Sequence, residues 1–296
     1  MNPSPRFPSL IHLLARVSSC LGAAIFLLVL ATPTPAMAQS SFAPRGFQGV
    51  SSERSAMEDF QRFREMRLSN TCLRFTITHM PRKGDKEVVH KGVVWTTFYG
   101  DGPIFRMELA PANSGKPLRL ILKGGPSPAL WLNDGKGQPA ISSNKALLPG
   151  LIFTPFELQT PFVYWKDTKY ETTQSFRGRP VLAFRINPPG HFKTSHPDVG
   201  FVRIKLDRQF GVIMQTVVYN AAEKEVRKYE AETFTEVKGI YIPEELRVFD
   251  LATRDKDVFR VNQAAVQLKH DLGIFSPDSL DKPAKQPPEA DFIRIN

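Results

Sequence analysis

The sequence is poor in cysteine: only Cys20 and Cys72 occur among its 296 residues. If the N-terminal segment that contains Cys20 is removed, Cys72 remains alone, and one cysteine cannot form a disulfide within the chain. A chain of this length can bury about 70–75 % of the surface that its unfolded state exposes, so it needs no disulfides to fold. We therefore expect a fold that rests on its core, with Cys72 as a buried thiol rather than a reactive one.

Apolar segments long enough to cross a membrane are also missing. The run from Leu21 to Ala31 has eleven residues, about half of the 20 or so that a membrane-spanning helix needs. It follows Arg6 and Arg16, with no acidic residue before it, and it precedes Ala36-Met37-Ala38, the small-x-small pattern of a cleavage site. These features predict a cleaved signal peptide over 1–38 and a periplasmic protein that is soluble after cleavage, rather than a membrane-anchored one.

The chain is basic but has no dense basic block. It carries 39 Lys and Arg against 29 Asp and Glu, and loss of the two arginines of the signal peptide leaves an excess of +8. Such an excess attracts anionic lipid head groups, acidic glycans or nucleic acid. Because the basic residues are scattered and the chain is exported, we expect no nucleic-acid partner.

No motif for catalysis or for a cofactor stands out. Ser127 lies between two prolines rather than in a G-x-S-x-G elbow, and Gly124-Gly125-Pro126 lacks the Lys-Ser/Thr of a phosphate loop. His191, His196 and Asp198 share one loop, but loop histidines at this spacing are usually solvated. We expect no catalytic residue, no metal site and no cofactor, and interpret the chain as a binding protein rather than an enzyme.

An amphipathic helix is predicted over 55–67, with Ser55 and Glu58 as a capping box. Its apolar residues recur every three positions: Met57, Phe60, Phe63 and Met66. From Thr71 to Gln267 the period becomes two, as in Leu73-Arg74-Phe75-Thr76-Ile77. About ten such strands, separated by short turns, predict an antiparallel meander, and a sheet of that size tends to curl.

One interval, Ser142 to Trp165, interrupts the strands. It is strongly apolar and contains prolines at positions 149, 155 and 161, too many for a strand or for one long helix. We interpret it as short helices and turns that lie across the sheet as a lid. The predicted organisation is a linker over 39–50, one mainly β domain over 51–280 and a flexible tail over 281–296.

The order of these features resembles the LolA/LolB family of bacterial lipoprotein carriers, and most closely its branch of outer-membrane lipoprotein-sorting proteins. The resemblance covers most of 148–280 and rests on the order of four stretches: Leu148–Trp165, Phe176–Pro189, Val202–Tyr219 and Gly239–Gln267. It implies a single large curled antiparallel sheet, an unclosed β-barrel with an N-terminal helix and a helical lid insert. It also implies a periplasmic carrier that holds the acyl chains of a lipoprotein or another lipid in an apolar cavity.

On this interpretation the cavity is lined by residues of the strands and of the insert: Trp95, Phe105, Met107, Leu120, Leu122, Trp131, Phe153, Phe156, Phe162 and Trp165. The expected partners are acyl chains and membrane-bound donor and acceptor proteins, with the carrier itself a monomer. The alternative is an envelope sensor or structural protein that uses the same half-barrel to bind a partner protein. Sensors of related fold usually add a second domain, and the short segment after Leu280 favours the carrier.

Overall fold

A computed structural model of the chain describes residues 51–67, 69–83, 86–112, 116–133, 146–148 and 150–295. The predicted signal peptide, the linker and the first part of the insert lie outside these residues. The described chain forms three α-helices, α1 (Glu53–Glu65), α2 (Pro155–Gln159) and α3 (Gly190–Ser195), with short 3-10 helices at Pro161–Tyr164, Leu272–Phe275, Pro277–Asp281 and Glu289–Asp291.

Thirteen strands make up about half of the described chain. They are β1 (Thr71–Met80), β2 (Val88–Tyr99), β3 (Gly102–Ala110), β4 (Leu118–Lys123), β5 (Ala129–Leu132), β6 (Asp167–Phe176), β7 (Arg179–Asn187), β8 (Phe201–Asp207), β9 (Val212–Tyr219), β10 (Glu225–Val237), β11 (Ile240–Asp250), β12 (Lys256–Val266) and β13 (Ile293–Arg294).

The strands form one antiparallel sheet in the order β5-β4-β3-β2-β1-β12-β11-β10-β9-β8-β7-β6, and β13 pairs with β12. Apart from the long insert between β5 and β6 and the pairing of β1 with β12, neighbours along the chain are neighbours in the sheet. The sheet does not close, because β5 and β6 remain separate edges. The predicted fold class, a large unclosed antiparallel sheet with an N-terminal helix and a helical insert, is confirmed.

Helix α1 begins earlier than the sequence indicates. Its N-cap is Ser52, whose hydroxyl accepts a hydrogen bond from Ser55 N, and the helix starts at Glu53. The predicted capping box of Ser55 and Glu58 is therefore wrong, because Ser52 lies three residues earlier and meets the same orphan N–H groups. No helix among the described residues has the length and apolar character that crossing a membrane requires.

The sheet is covered on both faces. Leu73, Phe75 and Ile77 of β1 point to what we call the inner face, where α1 and the insert pack over them in the main core. Cys72 of β1 and Trp95 of β2 point to the opposite, outer face, where they pack with Phe275 of the C-terminal segment. Alternation of side chains along a strand produces these two faces.

Neighbouring strands separate at two places. The pairing of β9 with β10 covers only Gln215–Tyr219, so Val212–Met214 and the second half of β10 diverge. The pairing of β11 with β12 ends at Glu245 and Arg260, and beyond it β13 takes the place of β11 beside Gln263 and Ala264.

The C-terminal segment is held on the outer face rather than loose, unlike the flexible tail predicted over 281–296. Arg106, only 1 % exposed, donates hydrogen bonds to the carbonyl oxygens of Ile274, Ser279 and Lys282. Arg74 binds the Glu289 carboxylate at 2.8 Å. Polar, proline-bearing composition suggested mobility, but the segment satisfies its backbone through arginines of the sheet.

Candidate functional site

The described part of the insert, 146–148 and 150–165, forms a lid over the inner face. Two prolines shape it: Pro155 begins α2 and Pro161 begins the next 3-10 helix. Proline is favoured at the first position of a helix because its φ is already set and no N–H is lost. Thr160 between the two helices has a left-handed φ of 44° and turns the chain. The sequence-based prediction of short helices packed over the sheet is confirmed for these residues.

Helix α2 has a complete capping box. Thr154 accepts a hydrogen bond from Phe156 N, while the Glu157 carboxylate accepts one from Thr154 N at 2.7 Å and another from the Thr154 hydroxyl. Reciprocal capping of this kind satisfies the orphan N–H groups at a helix start. It also fixes the Glu157 side chain beneath the lid, where it is 1 % exposed.

Arg227 of β10 holds the lid from below. Its Nη1 donates to Glu157 Oε1 at 3.0 Å and its Nη2 donates to Ile152 O at 2.7 Å. Burial raises the pKa of the Glu157 carboxyl, against the opposing charge of Arg227 and the hydrogen bonds from Thr154. The Arg227–Glu157 ion pair therefore links the sheet to the lid in an interior that contains little water.

The Asp257 side chain of β12 binds the backbone of the lid at Ile152 and Phe153, next to the Arg227 contact. Its Oδ2 accepts hydrogen bonds from Ile152 N at 2.8 Å and Phe153 N at 2.9 Å, and its Oδ1 contacts His79 Nδ1 at 2.7 Å. Burial raises the pKa of the Asp257 carboxyl, while these hydrogen bonds oppose the shift.

The other end of the lid is tied to α1 and to the first strands. Arg64 of α1 donates to Val163 O at 2.5 Å and to Trp165 O at 2.9 Å. Burial lowers the pKa of Arg64 to about 10, so it stays charged at neutral pH. Gln159 donates to Lys123 O and Ala129 O, the turn ends of β4 and β5. Polar contacts therefore fasten the lid at both ends and, through Glu157, from beneath.

Between these contacts the lid is apolar. Phe153 lies edge-on to Phe259 of β12, with ring centres 6.3 Å apart, and Phe162 lies 6.4 Å from Tyr229 of β10. Trp165 packs 4.8 Å from Phe192 of α3. Burying each large apolar side chain stabilises the closed lid by about 1.5–3 kcal/mol.

Among the described residues, a small cavity lies between the lid and the inner face. A cavity of about 20 Å³, lined by Phe153, Glu157 and Tyr229 among others, is large enough for about one water molecule. The hydroxyls of Thr216 and Tyr229 beside it have no hydrogen-bond partner among the described residues. The structure is therefore that of a closed lid.

Eight of the ten residues predicted to line a cavity meet in this core. Phe105, Met107, Leu120 and Leu122 lie on the inner face and belong to one cluster with Phe153, Phe156, Phe162 and Trp165 of the lid.

The other two, Trp95 and Trp131, lie on the outer face. Trp95 packs with Cys72, and the register places Trp131 opposite Ile121 and Trp95 opposite Arg106. Directly opposed residues share a face. The sequence does not show which face Trp95 occupies, because Val93, Val94 and Trp95 are consecutive apolar residues in a strand that is covered on both faces.

Sequence reasoning missed the polar residues that hold the lid. Asp257 begins a strand and Arg227 lies near the start of another, and both positions are ordinary for exposed charges. Their burial depends on the insert folding back over strands up to about a hundred residues away, for which a single sequence carries no local signal. Within the described part of the chain, no three His, Cys, Asp or Glu side chains form a group fit to hold a metal.

Several solved structures share this architecture. One is described as an outer membrane lipoprotein-sorting protein domain from Vibrio parahaemolyticus; it aligns with a TM-score of 0.61 and 8 % identity over 77 % of this chain and 96 % of its own. A DUF1329 family protein from Desulfovibrio piger aligns with a TM-score of 0.62 and 10 % identity over 77 % and 98 %. A LolA superfamily protein from Nitrosomonas europaea aligns with a TM-score of 0.55 and 13 % identity over 77 % and 99 %.

The chain has a LolA-like fold. Similarity at this level of identity establishes architecture, and function has to be argued from the site. No protein-family model matches the sequence, and neither does any curated protein. The resemblance inferred from the order of the sequence features thus agrees with the fold, and the lid over the inner face is the feature of this LolA-like chain that its function has to explain.

Proposed function

We propose that this chain is a periplasmic carrier that holds the acyl chains of a lipoprotein or another lipid between the lid and the inner face, for outer-membrane lipoprotein sorting. The fold supports a carrier or partner-binding role. The main support for an acyl cargo is the lid itself, whose buried side chains are mostly apolar apart from the Glu157–Arg227 ion pair.

The energetics favour an apolar site over a charged surface. Removing an acyl chain of about fourteen methylenes from water gains about 10 kcal/mol, at about 0.8 kcal/mol per methylene. A basic residue near an anionic membrane surface contributes only about 1 kcal/mol. A carrier that moves its cargo through water-filled space needs an apolar site, and the scattered basic residues serve only to approach membranes.

The closed lid implies how cargo is taken up. Because Phe153, Phe156 and Phe162 are buried in the closed form, an acyl chain binds beneath the lid only after they move away from the sheet. Lid and cargo then compete for the same apolar surface. Because cargo binds only the open form, it shifts the population toward that form. Donor and acceptor proteins at the two membranes would act on this balance.

A photoreactive cargo tests the proposal without altering the core. The mature protein is incubated with a lipopeptide whose acyl chain carries a diazirine, irradiated and digested, and the labelled peptides are identified by mass spectrometry. We expect labels on β3, β4 and the lid, around Phe105, Leu122 and Phe156. The outer face, with Trp95 and Trp131, is the internal control.

Labels confined to the outer face, or no labelling above that of a denatured sample, would contradict an acyl site beneath the lid. In that case the partner-binding alternative, in which the half-barrel recognises another protein, becomes the better account.

A further inference from the structure

A second apolar opening lies away from the lid, where β9 and β10 separate. The turn Arg208–Gly211 between β8 and β9 is flanked by two cavities of about 520 and 280 Å³. Phe210 and Tyr241 line both of them, and their rings lie 5.1 Å apart. We call the two cavities together the turn cleft.

The walls of the turn cleft are largely apolar and reach the main core. The larger cavity runs along the end of α1, and the smaller one fills the gap between β9 and β10. Besides Phe210 and Tyr241, the apolar lining residues are Phe63, Met66, Leu206, Val212, Met214 and Phe234. Each cavity has the volume of a small-molecule site, roughly 300–1,000 Å³, and neither requires the lid to open.

Arginines surround the opening. Arg62 and Arg208 share one carboxylate, that of Asp59, which both contact. Arg67 is exposed and lies over the Phe98 ring, 5.5 Å from its centre. The acidic lining residues Asp59, Asp207 and Glu232 each pair with an arginine.

Arg179 is the cation closest to the apolar walls. Its Nε donates to Asp207 at 2.5 Å, and its guanidinium lies 4.4 Å from the centre of the Phe210 ring. Its Nη2 is buried and has no hydrogen-bond partner among the described residues. An unpaired buried donor is costly, and it is satisfied best by an anionic oxygen.

We propose that the turn cleft binds the acyl chain of an anionic amphiphile, with the carboxylate or phosphate oxygen at Arg179. The chain lies along Phe210, Met214 and Tyr241, and the head group remains at the open end. The site is separate from the space beneath the lid, so it stands or falls independently of the proposed cargo site.

An extended peptide fits the observations less well. The edges of β9 and β10 are unpaired here, but the cavities are bounded by aromatic and methionine side chains rather than by a row of free backbone groups. A peptide added to a sheet edge depends on such backbone groups for its affinity. Displacement of the bound amphiphile by a peptide is nevertheless an outcome that the experiment can reveal.

The test uses cis-parinaric acid, a fluorescent fatty acid, with the mature protein below the probe's aggregation threshold. Lysophosphatidylglycerol and the methyl ester of the fatty acid are then used as competitors. We expect saturable binding, displacement by the phosphate-bearing lipid, and about tenfold weaker competition by the uncharged ester, the loss that about 1.4 kcal/mol corresponds to. The two anionic ligands distinguish a carboxylate from a phosphate source.

Arg179→Gln is expected to weaken binding of the acid about tenfold and to leave the ester unaffected. The matched control is Arg185→Gln. Arg185 is also on β7, is 32 % exposed against 31 % for Arg179, pairs with Glu223 and lies over Phe201. The comparison of acid with ester in the parent protein keeps the test valid if Arg179→Gln unfolds the protein.

Equal affinity for acid and ester, an equal loss with Arg185→Gln, or displacement by a peptide but not by a lipid would each overturn the proposal. A diazirine-bearing fatty acid separates this site from the lid site. Labels on the 208–211 turn and on residues 232–234 of β10 support the turn cleft, and labels only on the lid refute it while leaving the carrier role intact.

Discussion

Arg227 donates a hydrogen bond of 3.0 Å to the Glu157 carboxylate, and this contact joins β10 of the sheet to helix α2 of the lid. Both groups lie beneath the lid, with Glu157 1 % and the Arg227 side chain 20 % exposed. The lid is therefore held by a buried ion pair above a layer of aromatic rings. How tightly the lid closes depends on whether such polar contacts remain satisfied.

Replacing Arg227 by Met is expected to destabilise the fold by about 3–5 kcal/mol, because the Glu157 charge stays buried without its cation. Adding Glu157→Leu to that variant should recover part of the loss, because the unpaired buried charge is removed while the capping bonds from Thr154 remain lost. Urea denaturation of the two single variants and the double variant measures the coupling. Additive losses would show that the two residues act separately.

Asp257→Asn should loosen the lid at its first turn. An asparagine side chain has one acceptor oxygen, whereas Asp257 accepts from Ile152 N, Phe153 N and His79, so at least one bond is lost at a cost of about 1–3 kcal/mol. Hydrogen exchange should become faster at 150–165. The control is Asp255→Asn, because Asp255 accepts from Arg82 N outside the lid; equal acceleration in both variants would contradict the assignment.

His270 makes stability depend on pH. Its Nε2 donates to Thr71 O and Thr96 O, and burial lowers its pKa below the usual 6.5, against the opposing effect of those carbonyls. A lowered pKa means that the folded state binds fewer protons than the unfolded state. The contribution to stability is complete above about pH 6.5 and is lost as the pH falls through the folded-state value.

Glutamine at position 270 keeps an amide donor but does not titrate. The fall in Tm between pH 7 and pH 5 should therefore be smaller in His270→Gln than in the parent protein, measured by circular dichroism. His191→Gln is the control, because His191 is exposed. An unchanged pH profile in His270→Gln would show that this histidine does not contribute.

The C-terminal strand should contribute to stability through one side chain. Ile295 is 8 % exposed and packs in the main core, and its N–H donates to Asn262 O at 2.9 Å where β11 has left β12. Ile295→Ala is expected to cost about 2 kcal/mol, the low end for a buried isoleucine. Ile293→Ala, at a position 38 % exposed, should cost less than about 0.5 kcal/mol in the same denaturation assay; equal effects would argue against β13 as a fixed strand.

The fold could be predicted from the sequence because its signals are local. Alternation such as Leu73-Arg74-Phe75 marks strands, and the prolines at 155 and 161 mark short helices. The short strands β5 and β13 have too few residues to show a period, and the expected tail is ordered by arginines that lie far away in sequence.

The site could be predicted only in part, for a physical reason. Phe105 and Phe153 were identified because large apolar residues are usually buried. Which face Trp95 occupies depends on strand register, and the burial of Asp257 depends on the lid that folds over it. Neither is encoded in a short window of the sequence.

Native mass spectrometry of the mature protein, purified from the periplasm without detergent and followed by lipid extraction, tests the central claim most directly. The account predicts a co-purifying acylated species that is released when the protein is unfolded. A mass equal to that of the polypeptide alone, unchanged after incubation with phospholipids and lipopeptides, would contradict the carrier role.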